Sequence, residues 1–137
     1  MKALFIGGTG IISTAIVKRL VNELHWEVWM INRGNRNSVV PEGVHQIIAD
    51  MNDEADVANK IKDLSFDTVC EFIGFHVEQV ERDYRLFKDK TRQYIYISSA
   101  SAYHKPAASY VITEGTTLAN PYWQYSRDKI ACEEFLV

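Results

Sequence analysis

The sequence predicts an α/β domain in which helices cover both faces of a parallel β-sheet, a doubly wound arrangement. Apolar runs of strand length alternate with helical stretches along the chain, and the first run leads directly into a cluster of glycines. This alternation is typical of parallel sheets with right-handed crossovers. The chain has 137 residues, of which 47% are hydrophobic and 24% charged. These values fit one globular domain with its own core.

The first predicted strand is the continuous apolar run at residues 3–6, which suits a strand buried on both faces. A glycine turn follows at residues 7–10. Beyond it, apolar residues recur every four positions along one face of a predicted helix: Ile12, Ile16, Leu20 and Leu24, with Val17 and Val21 beside them. This spacing indicates an amphipathic helix.

Four further strands and three further helices are expected. The strands are residues 27–32, 44–49, 68–73 and 93–98. Two helices carry apolar residues at helical spacing, the first Val57, Ile61 and Leu64, the second Val77, Val80, Tyr84 and Phe87. The last helix covers residues 122–137. The intervening loops at 32–43 and 99–121 are long, and such loops are usually functional.

The sequence contains no internal repeat, no low-complexity tract and no linker. We therefore expect residues 1–137 to form one domain. The last helix has no stop signal, neither a glycine cap nor a proline, and it ends in apolar residues. This ending predicts that the chain is the front part of a longer polypeptide.

Charge and composition exclude several classes of function. A formal net charge of -3 gives no broad attraction for nucleic acid or an anionic membrane. The chain lacks a signal-peptide pattern, and no apolar run approaches the ~18 residues of a membrane span. Cys70 and Cys132 have no C-x-x-C spacing, and no histidine has metal-ligand spacing. We expect buried free thiols, no metal site and a reducing, cytoplasmic location.

The glycine turn indicates a phosphate-binding site. Its residues are Gly7, Gly8, Thr9, Gly10, Ile11, Ile12 and Ser13, between a buried strand and a helix. Glycine at 7 and 10 lets the backbone approach a pyrophosphate, which the amides at the helix start attract. Ser13 stands where a third glycine is usual and is small enough to serve. The pattern predicts a Rossmann-type cofactor site, the alternative being a turn that needs glycine for shape alone.

The end of the second strand bears on the choice of cofactor. An acidic residue there would bind the adenosine ribose, whereas a cation would favour a 2′-phosphate. The residues present are Asn32, Arg33 and Gly34, with Arg36 close by. Because an arginine fork matches phosphate, NADP is predicted in preference to NAD, unless the arginines are solvated loop charges. Asp50, after the third strand, could bind the adenine amino group or start a turn.

Tyr125 and Lys129 are four residues apart and so share one helical face. A nearby cation favours the phenolate form of a tyrosine, which can then exchange a proton with a reacting oxygen. Serines follow the fifth strand in the segment from Ser98 to Tyr103, at the sheet edge where ligands of such folds bind. The alternatives are a surface pair on the helix and polar residues that merely end a strand.

These three segments, in this order and separation, resemble the extended short-chain dehydrogenase/reductase superfamily, in its NAD-dependent epimerase/dehydratase group. The resemblance spans essentially the whole chain. Three features are similar to a bacterial branch related to the chloroplast stem-loop-binding proteins: the Gly-Thr-Gly-Ile-Ile-Ser turn, the Asn32-Arg33-Gly34 turn and Pro121-Tyr122-Trp123 before the tyrosine motif.

The resemblance implies a role for each site residue. Tyr125 would be the catalytic acid/base, Lys129 would bind the cofactor ribose and tune the tyrosine, and Ser99, four residues before Tyr103, would orient the substrate. Cofactor contacts would come from Gly7, Gly8, Thr9, Gly10, Ile11, Ile12, Asn32, Arg33, Asp50, Met51, Phe72, Ile73, Gly74 and Lys129. Group members also have a smaller C-terminal substrate domain, and superfamily members often dimerise through helices.

Two functions of different classes follow. The first is an NAD(P)-dependent enzyme that acts on a sugar or sugar-nucleotide carbon by hydride transfer, with epimerisation or dehydration. For this enzyme we expect the chain alone to be inactive without its substrate domain. The second is a non-catalytic dinucleotide sensor or RNA-associated protein with the same fold. The intact serine, tyrosine and lysine set favours the enzyme.

Overall fold

The computed structural model describes residues 1–35 and 39–137. The strands are β1 (Lys2–Ile6), β2 (Glu27–Asn32), β3 (His45–Ile48), β4 (Phe66–Glu71) and β5 (Thr91–Tyr96). The α-helices are α1 (Ile11–Asn22), α2 (Glu54–Lys60), α3 (Val77–Phe87) and α4 (Gln124–Leu136), and a short 3₁₀ helix covers Ala100–Ala102. Strands and helices alternate as far as β5, as the apolar pattern predicts.

The five strands form one parallel sheet in the order β3-β2-β1-β4-β5. The strand order reverses between β1 and β4, which are adjacent although two strands separate them in sequence. In open α/β sheets, ligands bind at the carboxyl ends of the strands beside such a reversal. The predicted Rossmann-type parallel sheet is therefore confirmed, and its reversal point lies where the glycine turn follows β1.

Helices pack on both faces of the sheet. Alternate residues of β1 belong to different core clusters, Leu4 and Ile6 to one, Ala3 and Phe5 to the other. The first cluster also contains side chains of α2 and α3, whereas the second contains Val17 of α1. This division explains why β1 is a continuous apolar run, because both of its faces are buried.

Two strand predictions were displaced by two residues. The pattern predicts strands at 68–73 and 93–98, but β4 is Phe66–Glu71 and β5 is Thr91–Tyr96. Asp67 in β4 and Arg92 in β5 interrupt the apolar pattern near the start of each strand. The pairing of Phe66 with Thr91 was therefore not predicted. At the other end, the backbone N–H of Ile73 donates to the Glu71 side chain, and residues 72–73 form a turn.

The buried face of α1 differs from the predicted apolar stripe. Ser13 and Val17 are buried, while Ile12 and Ile16 are 66% and 39% exposed. The rotation of the helix follows from the glycine turn, because Ser13 is hydrogen-bonded to it and must face inward. A similar shift occurs in α3, where Tyr84 is exposed and Asp83 is buried.

The described chain divides into two compact units. The first unit contains residues 1–73 and 82–97 and holds the whole sheet. The second contains residues 74–81 and 98–137, with the 3₁₀ helix and α4. Both cysteines are buried and neither forms a disulfide in the described chain, as predicted. In the part of the chain that the structure describes, every helix is too short or too polar to cross a membrane.

Candidate functional site

The glycine turn of the first unit requires glycine for two reasons. Gly7 has a φ of +78°, a conformation that other residues rarely adopt, and an added β-carbon would overlap Cγ2 of Ile73. At Gly8 an added β-carbon would lie 2.6 Å from Cε of Met30. These two glycines therefore allow close packing behind the turn. In front of it, Gly10 and Ile11 at the start of α1 are exposed to solvent.

Ser13 holds the turn closed. Its side chain is buried, and its Oγ accepts a hydrogen bond from the backbone N–H of Gly10 at 3.0 Å. The same hydroxyl lies within 3.2 Å of the carbonyl oxygens of Gly7 and Gly10, to which it donates. From the sequence, Ser13 is predicted only to be small enough to serve in place of a third glycine. The structure shows a side chain that hydrogen-bonds both ends of the turn.

Asn32, the last residue of β2, offers a donor to a ligand. Its Oδ1 accepts hydrogen bonds from the backbone N–H of Gly34 and from Nε2 of Gln46, both at 2.8 Å. These contacts orient the amide. Its Nδ2 is buried and has no hydrogen-bond partner among the described residues. A buried donor is costly without an acceptor, so this atom fits a ligand oxygen. Arg33 beside it is exposed, whereas Arg36 lies outside the described residues.

Asp50 and Met51 have structural contacts. Asp50 Oδ1 accepts a hydrogen bond from the backbone N–H of Asn52 at 2.9 Å, which is the turn alternative raised by the sequence. Met51 is buried in the core cluster on the α2 side of the sheet. Among the hydrogen bonds described, the Asp50 side chain makes none to another helix or strand.

The segment after β4 contributes its predicted residues to both units. In the first unit, the ring of Phe72 stacks on Phe5 with 5.8 Å between centroids, and Ile73 lies against Gly7. In the second unit, the carbonyl oxygen of Gly74 accepts a hydrogen bond from Nζ of Lys129 at 2.7 Å. This last contact was not anticipated from the sequence.

Tyr125 and Lys129 come together on one face of α4, within the second unit. Lys129 is only 2% exposed, and its Nζ lies 5.8 Å from the centroid of the Tyr125 ring and 5.1 Å from that of Phe75. Tyr125 is half-buried and contacts Phe75 and Trp123, with ring centroids 6.1 and 4.8 Å away. A buried ammonium beside aromatic faces is an expensive arrangement that points to a specific role.

A chain of hydroxyl groups leads to Ser99 in the same unit. Ser126, which is fully buried next to Tyr125, donates from its Oγ to Oγ of Ser101 at 2.9 Å. Oγ of Ser101 lies 2.9 Å from Oγ of Ser99, which also accepts from the backbone N–H of Ser101. The hydroxyls are thus connected from the helix to the predicted substrate-orienting serine.

Asn120 sets the direction of this chain. Its Oδ1 accepts from the backbone N–H of Tyr122 at 3.1 Å, so its Nδ2 must face Ser126 and Ser101. Nδ2 donates to the carbonyl oxygen of Ser101 at 2.8 Å and to Oγ of Ser126 at 3.3 Å. Ser126 accepts from Asn120 and donates its own hydrogen to Ser101. Between Ser101 and Ser99 either hydroxyl can be the donor, and with Ser101 as the donor the hydrogen of Ser99 is left for another acceptor.

Sequence analysis missed several of these residues. Ser101 and Ser126 lie within two residues of Ser99 and Tyr125, and that proximity is a usable signal. Asn120 carries no comparable signal, nor does Glu133, which accepts a hydrogen bond from Ser98. Across residues 1–35 and 39–137, the structure contains no group of three or more His, Cys, Asp or Glu side chains that could hold a metal ion.

Comparison with known families identifies the chain. The family model described as "NAD dependent epimerase/dehydratase family" matches residues 3–137. The chain belongs to this family. No curated protein sequence matches it significantly. The family assignment agrees with the resemblance carried by the glycine turn and the tyrosine motif, and the stem-loop-binding branch stays a prediction.

Solved structures show the same fold at low identity. The UDP-Glc/GlcNAc 4-epimerase of Campylobacter jejuni has a TM-score of 0.83 and 18% identity, over 98% of this chain and 47% of that one. Bordetella bronchiseptica WbmG in complex with NAD has 0.82 and 18%, over 99% and 49%. The Bifidobacterium longum UDP-glucose 4-epimerase in complex with NAD⁺ and UDP has 0.75 and 22%, over 99% and 48%. The chain spans about half the length of these proteins.

Proposed function

We propose that this chain carries the cofactor-binding and proton-transfer parts of an NAD-dependent epimerase or dehydratase that acts on a sugar nucleotide. The observation that carries the proposal is the second unit's arrangement of Lys129, Tyr125 and Ser99. A buried ammonium, a half-buried phenol and an oriented hydroxyl occur there with their supporting contacts. A helix with a tyrosine and a lysine at its surface would need none of these contacts.

The first unit has residues suited to a dinucleotide. Gly10, Ile11 and Ile12 are exposed residues at the positive end of α1, where a pyrophosphate is stabilised. Asn32 would donate from its unpaired Nδ2 to an oxygen of the adenosine ribose or of a phosphate on it. A bound nicotinamide dinucleotide would supply the hydride-transfer chemistry. Two features of the first unit therefore support dinucleotide binding: the start of α1 and the buried Nδ2 donor of Asn32.

The comparisons and the sequence favour different dinucleotides. The family description names NAD, and two of the compared structures were solved with NAD. Neither finding adds support to NADP. The preference for NADP rests on Arg33, which is exposed at the end of β2 and could reach a 2′-phosphate.

Proton transfer is assigned to Tyr125. Tyr125 would take a proton from a substrate hydroxyl and return it, and the Lys129 ammonium lies 5.8 Å from the centroid of its ring. Lys129 is itself held by the carbonyl oxygen of Gly74, and this bond fixes the ammonium in place. The resemblance implies that Lys129 also binds the cofactor ribose.

We assign to Ser99 the role of orienting the substrate oxygen by a hydrogen bond. Its oxygen already accepts from the backbone N–H of Ser101 and lies within hydrogen-bond distance of the Ser101 hydroxyl. With Ser101 as the donor between the two hydroxyls, the hydrogen of Ser99 would donate to the substrate, which suits an oxygen that gains negative charge during hydride transfer. A sugar nucleotide is the proposed substrate class because two of the compared structures are 4-epimerases of UDP-sugars.

Cofactor binding by the chain is the first test. NADH and NADPH are titrated by fluorescence against the wild type and Arg33→Ala, with Arg19→Ala as a control because Arg19 pairs with Glu23 on the outer surface of α1. We expect micromolar binding of at least one cofactor. Selective weakening of NADPH in Arg33→Ala would support the NADP preference. Absence of binding below millimolar concentrations for both cofactors would refute the proposal.

A further inference from the structure

A buried cluster of charged groups lies in the first unit, outside the residues assigned above. Glu71 at the end of β4 and Asp83 on α3 are fully buried, and Arg82 is 6% exposed. Asp83 Oδ1 accepts from Nε and Nη2 of Arg82 at 3.0 and 2.7 Å, and Asp83 Oδ2 accepts from the hydroxyl of Tyr94 on β5 at 2.8 Å. Asp83 thus has three donors for its two oxygens.

Glu71 is less well compensated. Its Oε2 lies 3.7 Å from Nη2 of Arg82 and has no hydrogen-bond partner among the described residues. One guanidinium cannot balance two buried carboxylates, and Asp83 holds the shorter contacts. An unbalanced charge in the core is strongly disfavoured, so Glu71 keeps its proton.

The pKa values of the cluster agree with this assignment. Burial, with the nearby Asp83 carboxylate as a second cause, raises the pKa of Glu71 to about 9. Burial and Asp83 also raise the pKa of the Tyr94 phenol well above its usual value, so it stays a donor. Arg82 and Asp83 from α3 and Tyr94 from β5 are titratable groups near Glu71. The register neighbour of Glu71 on β5 is Tyr96, also titratable, and its neighbour on β1 is the apolar Ile6.

Glu71 also determines the path of the chain after β4. Its Oε1 accepts the backbone N–H of Ile73, and its carbonyl oxygen accepts the N–H of Ile97 at 3.0 Å. The side chain of Ile73 in turn occupies the space where Gly7 would have a β-carbon. The turn at residues 72–73 is therefore held between the Glu71 carboxyl group and the glycine turn.

We propose that Glu71, in its protonated form, is a positioning residue for the dinucleotide site: it holds Ile73 against Gly7, and its ionisation loosens this contact and weakens cofactor binding. The inference rests on the proposed function, since it concerns the same turn. Ionised Glu71 would face Asp83 at close range without a cation of its own. Burial and the Asp83 carboxylate oppose this charge more than the Ile73 N–H favours it, so we expect the ionised side chain to leave its place and release Ile73.

The test measures NADH affinity as a function of pH for the wild type, Glu71→Gln and Glu71→Ala. Glu23→Ala is the control, because Glu23 is exposed at the end of α1. Glutamine cannot ionise but can still accept from Ile73. We expect the wild-type Kd to rise about fivefold or more between pH 7.5 and 9.5, and the Glu71→Gln Kd to stay nearly constant. Glu71→Ala, which lacks the acceptor, should bind about tenfold more weakly at pH 7.5.

Three outcomes separate this inference from the proposed function. If the wild type does not bind NADH or NADPH at any pH, the proposed function fails. If the wild type binds and Glu71→Gln loses affinity with pH in parallel, or neither protein shows a pH dependence, the role of Glu71 is refuted. If Glu71→Ala does not fold by circular dichroism, the comparison of wild type and Glu71→Gln alone decides.

Discussion

The glycine turn of the first unit and the serine and tyrosine site of the second keep their geometry by different means. In the turn, Gly7 and Gly8 are surrounded so closely that one added carbon would collide with Ile73 or Met30. In the second unit, Ser99 is oriented by hydrogen bonds that begin at Asn120. The first region therefore tolerates no added atom, whereas the second tolerates no lost polar atom.

This difference also separates binding from chemistry. A change in the glycine turn should lower cofactor affinity and stability together, because backbone and packing are shared by both. A change around Tyr125 should lower turnover while cofactor affinity stays near the wild-type value. The following variants test that separation.

Tyr125→Phe should have the largest effect. Loss of the phenolic hydroxyl removes the proposed acid/base, and such groups contribute about 10²- to 10⁴-fold to rate. We expect that loss in the interconversion of UDP-galactose and UDP-glucose, measured with a form of the protein that turns over these sugars, with NADH affinity changed less than about twofold. Tyr122→Phe is the matched control, because Tyr122 is 76% exposed. Unchanged turnover in Tyr125→Phe would remove Tyr125 from the proposed mechanism.

Gly7→Ala should come next. The alanine would have to adopt a φ near +78° and displace Ile73, which we expect to cost about 2–4 kcal/mol of unfolding free energy and at least tenfold in NADH affinity. Urea denaturation and fluorescence titration measure the two effects. Gly115→Ala is the control, since the nearest atom to its added β-carbon would be Oγ1 of Thr113 at 3.8 Å. Equal effects at both positions would show that packing at Gly7 is unimportant.

Glu71→Gln should change how stability depends on pH. The pKa of Glu71 is about 9 in the folded protein and 4.5 in its usual state, so folding takes up a proton between these values. Wild-type stability should therefore fall as pH rises from 5 to 9, by at most about 1.4 kcal/mol per pH unit from this group. Thermal unfolding of Glu71→Gln should show a flatter profile over this range. A profile as steep as that of the wild type would mean that Glu71 is already ionised when folded.

Ser126→Ala should have the smallest effect of the four. It removes the donor to Ser101 and the acceptor of Asn120 inside a buried network, at a cost of about 1–2 kcal/mol in unfolding free energy. Turnover should fall because Ser99 is no longer directed toward the substrate, and NADH affinity should not change. Ser109→Ala is the control, since Ser109 is exposed and bonds only the nearby N–H of Val111 among the contacts described. Equal turnover in both variants would contradict the directional role of the network.

Much of the fold could be predicted because it depends on local patterns. The apolar run of β1 and the turn after it follow from burial on both sheet faces and from glycine geometry. The helix faces could not be predicted as well, because the hydrogen bonds of Ser13 rotate α1 away from the stripe that contains Ile12 and Ile16. Side-chain contacts decided the orientation, and hydrophobic spacing alone does not contain them.

The contacts of the candidate site are likewise of two kinds, those that local spacing predicts and those that depend on the path of a loop. Spacing alone predicts that Tyr125 and Lys129 share a helical face, which the structure confirms. The approach of Asn120 to Ser101, 19 residues away, depends on the path of an irregular loop that has no periodic pattern. Glu71 had a local signal that was not used, since a carboxylic acid inside an apolar strand must be satisfied by buried partners.

Ser13 has a consequence for the thermodynamics of ligand binding. Because its hydroxyl already connects Gly7 and Gly10, the turn loses its conformational freedom when the protein folds and not when a ligand arrives. A preorganised loop requires less ordering on association, so a larger share of the contact energy is retained as affinity. A serine in place of a third glycine can therefore exchange flexibility of the free protein for a lower entropic cost of binding.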